Sequence, residues 1–156
     1  MNEHPQIKTL EYDYIVDGIY IGTNQCCQTH FDEQLKKEGI TADISLEEER
    51  IDTPFGIEFY IWIPIKNHTA PTSEQLNFGV ATINKLVDIK KKIYIHCQNG
   101  HGRAPTMTAA YLIKKGKGAE EALEFIKNKR PTIHLEEIQR RALEEWSKSN
   151  KASCCL

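Results

Sequence analysis

The chain reads as a single α/β domain, with a mainly parallel, twisted sheet of about four to five strands and helices on both faces. Three observations predict this. Apolar, β-rich runs alternate with helical periodicities, the pattern of parallel strands joined by crossover helices. The buried-strand run Ile93-Tyr94-Ile95 is followed by a glycine-bearing loop and then by a helix-forming stretch from Ala104 to Ile113. The 156 residues suffice for one core, and no linker, internal repeat or low-complexity block divides them. The domain is therefore taken as 1–156, with a core of 12–146 between loose tails at 1–11 and 147–156.

Each element has its own signal. Ile15 to Ile21 reads as a strand, or a strand pair turned at Asp17-Gly18. His30 to Glu38 is helical, with Gly39 placed as a C-terminal cap. Ile40 to Leu46 leads into a short strand, and the acidic run Glu47-Glu48-Glu49-Arg50 after it is expected to be a solvated loop. Ile57 to Ile65 is a long apolar run that predicts a strand at or near the sheet's centre. Pro71-Thr72-Ser73-Glu74 opens a helix capped by Thr72 or Ser73, whose apolar face is Leu76, Val80, Ile83 and Val87. A further helix from Ala119 to Lys127 puts Ala122, Leu123 and Ile126 on one side, and a last one presents Leu135, Ile138, Ala142 and Trp146.

Composition narrows the function classes. A net charge of −2 argues against a nucleic-acid binder held by bulk electrostatics. No apolar run approaches the roughly 20 residues that span a bilayer, and the N-terminus lacks a signal-peptide pattern, so the expectation is a cytoplasmic protein. The five cysteines include the adjacent pairs Cys26-Cys27 and Cys154-Cys155, a poor basis for a disulfide framework and more natural in a reducing compartment. Cys26-Cys27 can be structural or a redox partner for another thiol. The ending Ser153-Cys154-Cys155-Leu156 is not a prenylation box, because Ser153 occupies the place of its cysteine. No His/Cys/carboxylate set has metal-ligand spacing, so neither metal nor cofactor is expected.

The chemistry concentrates in His96-Cys97-Gln98-Asn99-Gly100-His101-Gly102-Arg103. A strand, a tight loop and a helix N-terminus converge free backbone N–H groups on one point and make an anion site. The same field favours Cys97 as a thiolate. Arg103 can hold two oxygens of a phosphate in its planar fork. Gln98, Asn99, Gly100, His101 and Gly102 contribute mainly backbone amides to the bound group, with the glycines allowing dihedrals and close approaches that a Cβ would obstruct. His101 either shapes the rim or, protonated, adds positive charge for polyanionic substrates. The chemistry implied is phosphate-ester hydrolysis through a phosphocysteine.

These residues resemble the cysteine-dependent protein tyrosine phosphatase superfamily, specifically its small dual-specificity branch. His96, Cys97, Gly100 and Arg103 match the family's H-C-x-x-G-x-x-R loop, and Gly102 matches a G-x-G-R form of it. The similarity extends over about 12–146, through Ile19-Tyr20-Ile21-Gly22, Ala42-Asp43-Ile44-Ser45-Leu46, Tyr60-Ile61-Trp62-Ile63-Pro64 and Arg130-Pro131. The resemblance implies a phosphatase-type loop between strand and helix, with Cys97 as nucleophile, Arg103 as phosphate binder and His96 as a buried residue that orients the loop.

Two positions depart from the family pattern. Ala104 stands where the family usually has a Ser or Thr whose hydroxyl helps the thiolate leave, and neither Thr106 nor Thr108 is an obvious substitute. Asn67 stands at the general-acid position of the segment 64–71, where the family has Asp; an amide cannot protonate a leaving oxygen, and general-acid catalysis is typically worth about 10²–10⁴-fold. His68 is the nearest substitute, with Asp52 and the 47–49 glutamates more remote; Gln139, a loose match to the glutamine with which some phosphatases place the hydrolytic water, is read as a solvated helix residue, and His134 as structural or exposed.

The resulting expectation is a phosphatase acting on phosphotyrosine and phosphoserine/threonine monoesters with a weakened acid step, its partners being phosphorylated proteins or phosphate esters. The alternatives are an inositol phosphate or phosphoinositide phosphatase, a phosphate-binding pseudophosphatase that recognises phosphorylated partners, and a thiol enzyme of arsenate-reductase or rhodanese type.

Overall fold

The computed structural model describes residues 7–150. Its five-stranded sheet is built from β1 (Tyr12–Val16), β2 (Ile19–Gly22), β3 (Ile40–Glu47), β4 (Phe59–Ile65) and β5 (Lys92–His96), in the spatial order β1-β2-β5-β3-β4. The helices are α1 (Glu33–Lys37), α2 (Ser73–Asp88), α3 (Arg103–Lys114), α4 (Ala119–Lys129) and α5 (Glu137–Asn150). The β1–β2 pair is antiparallel and the other three pairings are parallel. Asp17 and Gly18, at φ 52° and 83°, take the left-handed conformation that a two-residue hairpin turn between β1 and β2 requires.

β5 lies in the middle and is buried on both sides. Ile93 and Ile95 join Ile19, Ile21 and Ile44 in the main core, beneath α2, α3, α4 and α5. Tyr94 points the other way, into a smaller cluster with Tyr20, Cys26, Cys27, Phe31 and Leu35 under α1. Each fully buried aliphatic side chain contributes about 1.5–3 kcal/mol. Helices thus lie on both faces, four on one and a single short one on the other.

Three expectations need correction. The run 57–65 forms β4, an edge strand rather than a central one: Phe59 and Trp62 are exposed and Pro64, which cannot donate to a ladder, is tolerated there. α1 starts at Glu33 because the Asp32 side chain accepts from Gln34 N and caps it, so 30–32 lie outside the helix. In α5, Ile138 faces solvent, and the buried positions are Gln139, Leu143, Trp146 and Ser147.

The helix starts set up the site. Thr72 caps α2 in a reciprocal box with Gln75, and Gln75 Nε2 also donates to Pro64 O at 2.9 Å, closing the segment between β4 and α2 at its base. At the other end of the sequence, α5 runs to Asn150, four residues beyond the expected core, and Ile7 N donates to Asn99 Oδ1. The terminal cysteines and the motif around them lie outside the described residues.

Candidate active site

The carboxyl end of β5 delivers Cys97 into the loop that becomes α3 at Arg103. A cleft of about 240 Å³ opens there, lined by Cys97, Gln98, Asn99, His101, Gly102 and Arg103 from the loop. Asn67 and His68 close it from the segment after β4, and His134, Glu136 and Gln139 from the start of α5. Two of the predicted site residues are not on its wall. Gly100 turns away at φ 71°, where a Cβ would lie 2.7 Å from Gly22 O. His96 is buried on the sheet's other face.

Cys97 is 3% exposed and Arg103 is 2% exposed, so thiol and guanidinium meet the cleft from a largely dry floor. Arg103 is held by partners remote in sequence. Its Nη1 donates to Ile65 O at 2.8 Å and to Glu49 Oε2 at 2.9 Å, and its Nη2 to Glu49 Oε1 at 2.6 Å. Burial opposes the charge on Arg103, but the Glu49 hydrogen bonds raise its pKa above the ordinary value. Conversely, burial would raise Glu49, and the Arg103 contacts outweigh it and lower Glu49 below 4.5. The acidic run is therefore not a solvated loop throughout: Glu49 clamps the arginine, and Glu47 is fully buried and bonded by Asn24 Nδ2.

The phosphate loop is fastened from below by Arg130, which follows α4. Its Nε donates to Gly100 O at 3.1 Å, its Nη2 to Asn99 O at 3.0 Å and its Nη1 to Asp13 Oδ2 at 2.8 Å. Gln139 is buried rather than solvated; its Oε1 accepts from Glu136 N and its Nε2 donates to Thr69 O at 3.1 Å, tying α5 to the 64–71 segment. Only the Arg130-Pro131 pair had a sequence signal. Nothing in spacing or periodicity points to Glu49, Glu136 or Gln139, whose roles come from pairings across the fold.

Asn67 does reach the cleft. Its Oδ1 accepts from His68 N, and its Nδ2 lies 3.5 Å from Gln98 Oε1. His68, at φ 63°, places Nδ1 3.0 Å from Glu136 Oε1. Asp52 is not on the cleft wall; it is bonded to Arg50 on the far side of the sheet. At the departing end, Thr106 Oγ1 bonds Gly102 O and Thr108 Oγ1 bonds Ala104 O, so both hydroxyls are committed to helix carbonyls and do not replace the one Ala104 lacks.

Behind the loop, His96 Nε2 lies 3.2 Å from Asp43 Oδ1, 3.3 Å from Cys27 Sγ and 3.5 Å from Asp52 Oδ2. Burial alone would lower its pKa, but the carboxylates of Asp43, Asp52 and Glu47 raise it to about 9. Cys26 and Cys27 are joined as a disulfide in this buried cluster, on the opposite face from the core that holds Cys97. Their placement does not make them a partner for the nucleophile. No set of metal-ligand spacing shows in the sequence, but the fold brings Cys26, Cys27, Asp43 and His96 together from distant positions.

Comparison with known proteins agrees with this geometry. The chain is 30% identical over 124 residues to phosphatidylglycerophosphate phosphatase PTPMT2 of Arabidopsis thaliana, covering 74% of this chain and 54% of that protein. It is 32% identical over 103 residues to mouse dual specificity protein phosphatase 1, covering 65% and 28% respectively. The chain thus spans about half the length of the plant relative and little more than a quarter of the mouse one. Among solved structures, PTPMT1 is similar with a TM-score of 0.75 at 25% identity, covering 89% of this chain and 95% of that one. Tk-PTP in its active form is similar with a TM-score of 0.74 at 26% identity, covering 88% and 96%. The family model for the dual specificity phosphatase catalytic domain matches residues 19–149, nearly the whole of the sheet and helices just described, and the chain belongs to that family.

Proposed function

We propose that this domain hydrolyses phosphoric monoesters through a phosphocysteine, with its acid step carried by His68 in place of the missing aspartate. The observation that carries the reading is the joint burial of Cys97 and Arg103 in the wall of one small polar cleft. Phosphate enters against the loop amides and the α3 N-terminus. Arg103 turns its fork from Glu49 toward the phosphoryl oxygens as charge develops on them. The Cys97 thiolate forms the S–P bond while the ester P–O bond breaks, and the leaving oxygen takes the proton of His68. The now neutral His68 takes a proton from water as that water attacks phosphorus, breaking the S–P bond, returning the thiolate and restoring the protonated histidine. Without a hydroxyl at Ala104 that second step is the slower one.

The proposed substrates are phosphotyrosine and phosphoserine/threonine monoesters of proteins, in keeping with the family. A lipid-linked monoester is the second reading. It is supported by the names of PTPMT2 and of the solved complex of PTPMT1 with PI(5)P (24% identical, TM-score 0.73), and by His68, His101 and His134 in the cleft wall.

The test is hydrolysis of an aryl phosphate, a phosphopeptide and a phosphatidylglycerophosphate vesicle by the unmodified chain and Cys97→Ser, with acid-quenched capture of the phosphoenzyme. Turnover abolished by Cys97→Ser and a trapped phosphocysteine are expected. Phosphopeptide binding without any turnover points to the pseudophosphatase, and turnover that survives Cys97→Ser overturns the mechanism.

A further inference from the structure

On the face of the sheet away from the cleft, four buried side chains from three separate segments meet. Cys26 and Cys27 come from the connection between β2 and α1, Asp43 from β3 and His96 from β5. One ligand atom from each lies within 4.8 Å of all the others. The cluster is also short of hydrogen bonds. Among the described residues, both carboxylate oxygens of Asp43, together with Glu47 Oε1 and His96 Nδ1, are buried atoms with no hydrogen-bond partner, Asp43 Oδ1 having the ion-pair approach of His96 Nε2 at 3.2 Å. Buried polar atoms are nearly always satisfied, and here the Asp43 carboxylate lies beside His96 Nε2 while Glu47 Oε1 and His96 Nδ1 face each other across 3.9 Å behind the ring, an arrangement with room for a further group.

We propose that these four residues form a structural zinc site, available when Cys26 and Cys27 are reduced. Two thiolates, one imidazole and one carboxylate make a mixed N/S/O set suited to tetrahedral Zn²⁺. Ligand atoms around such an ion stand about 3.3–3.8 Å apart, so on reduction the two sulfurs, bonded to each other in the disulfide, must move apart while the most distant ligand atoms draw in modestly. Asp43 rather than Asp52 is the carboxylate ligand, because Asp52 Oδ1 is already engaged by Arg50 at 2.7 Å, whereas among the described residues neither oxygen of Asp43 has a hydrogen-bond partner. The outer layer is present as well. His96 Nδ1 lies 3.9 Å from Glu47 Oε1, and closing that gap gives the carboxylate–histidine–metal arrangement that fixes the ring when its other nitrogen binds a metal. With four protein ligands the site is closed, so its role is to hold β3, β5 and the Cys26-Cys27 turn together rather than to activate water.

The disulfide and the metal exclude each other. A phosphine reductant supplies two electrons to the S–S bond and takes up oxygen from one water molecule, whose two protons appear on the sulfurs. Zn²⁺ then displaces those two thiol protons and the proton on His96 Nε2, all three passing to solvent. Dioxygen takes the two electrons and two protons of the metal-free dithiol, leaving as hydrogen peroxide, and the disulfide is restored.

The experiment reconstitutes the phosphine-reduced full chain with Co²⁺ or Zn²⁺, removes unbound ion, and reads metal content, the cobalt spectrum and the alkylation of individual cysteines. The expected result is about one equivalent of metal per chain, with the intense visible bands of tetrahedral cobalt and a thiolate-to-cobalt charge-transfer band. Cys97→Ser retains them, and Cys27→Ser and Asp43→Asn lose them. In the unmodified chain, Zn²⁺ protects Cys26 and Cys27 but not Cys97 from alkylation, a readout independent of whether a variant folds. Failure to retain metal, a cobalt spectrum without thiolate bands, or loss of binding in Cys97→Ser with alkylation of Cys26 and Cys27 unchanged overturns the site.

Discussion

Both terminal nitrogens of Arg103 are engaged by the carboxylate of Glu49, at 2.6 and 2.9 Å, from a position 54 residues earlier in the chain. The guanidinium proposed to grip phosphate is therefore pre-positioned by a carboxylate.

Replacing Glu49 with alanine leaves a buried guanidinium without its carboxylate. Hydrogen bonds to charged groups are worth about 1.5–3 kcal/mol each, though Glu49 is partly exposed and solvent reduces that figure. Steady-state kinetics on an aryl phosphate should show kcat/KM lower by roughly tenfold, with Glu49→Asp intermediate. An unchanged kcat/KM would show that Arg103 is positioned by Ile65 O and the loop alone.

The same pair predicts the acid limb of the stability curve. Glu49 titrates below its ordinary value of 4.5, so the folded state binds fewer protons there than the unfolded chain. Its contribution is complete above pH 4.5 and is lost as pH falls through the lowered folded value. Denaturant melts from pH 6 to pH 3 should fall less steeply for Glu49→Gln than for the unmodified chain, and parallel curves would contradict the assignment.

General-acid strength separates leaving groups. Asn67→Asp should raise kcat on an alkyl phosphate by about tenfold or more and change kcat on an aryl phosphate little, because phenolic oxygens need less protonation. His68→Gln should reduce alkyl turnover selectively. Equal effects of His68→Gln on both substrates would assign His68 to binding rather than to proton transfer.

Arg130 bonds the carbonyls of Asn99 and Gly100, so its loss orphans acceptors in the phosphate loop itself. Arg130→Met should destabilise the protein by about 2–4 kcal/mol in urea titrations and lower kcat/KM more than tenfold. Arg130→Lys should recover only part of each, since a point charge cannot reproduce a fork reaching three oxygens. Full recovery by lysine would reduce the interaction to simple charge.

What was legible in the sequence was local. The strand, loop and helix from Ile93 to Ile113 are contiguous, so their order and the placing of Cys97 and Arg103 at the two ends of the loop could be read directly. The Thr72 cap and the Asp17-Gly18 turn are equally local. The misreadings share one cause. β4 has a central strand's composition, but which strand ends at the edge depends on pairing order. The face of α5 was misassigned because Gln139, a polar residue, is buried by two hydrogen bonds rather than by apolarity. Glu49, Glu136 and the Cys26-Cys27-Asp43-His96 cluster are assembled across intervals of tens of residues, where periodicity carries no information.

The bond from Gln75 Nε2 to Pro64 O has a mechanical consequence. It turns the stretch from Pro64 to Gln75 into a ring whose circumference is set, with one side continuous with β4 and the other with α2. Such a ring does not swing from its roots as a flap does; it changes shape only within its own span. The second tether, from Gln139 to Thr69 O, shortens that span further. The compliant arc is then the few residues around His68, already in a left-handed conformation, so the stroke that brings a proton donor to bound phosphate is the length of a side chain and a peptide flip rather than the travel of a loop.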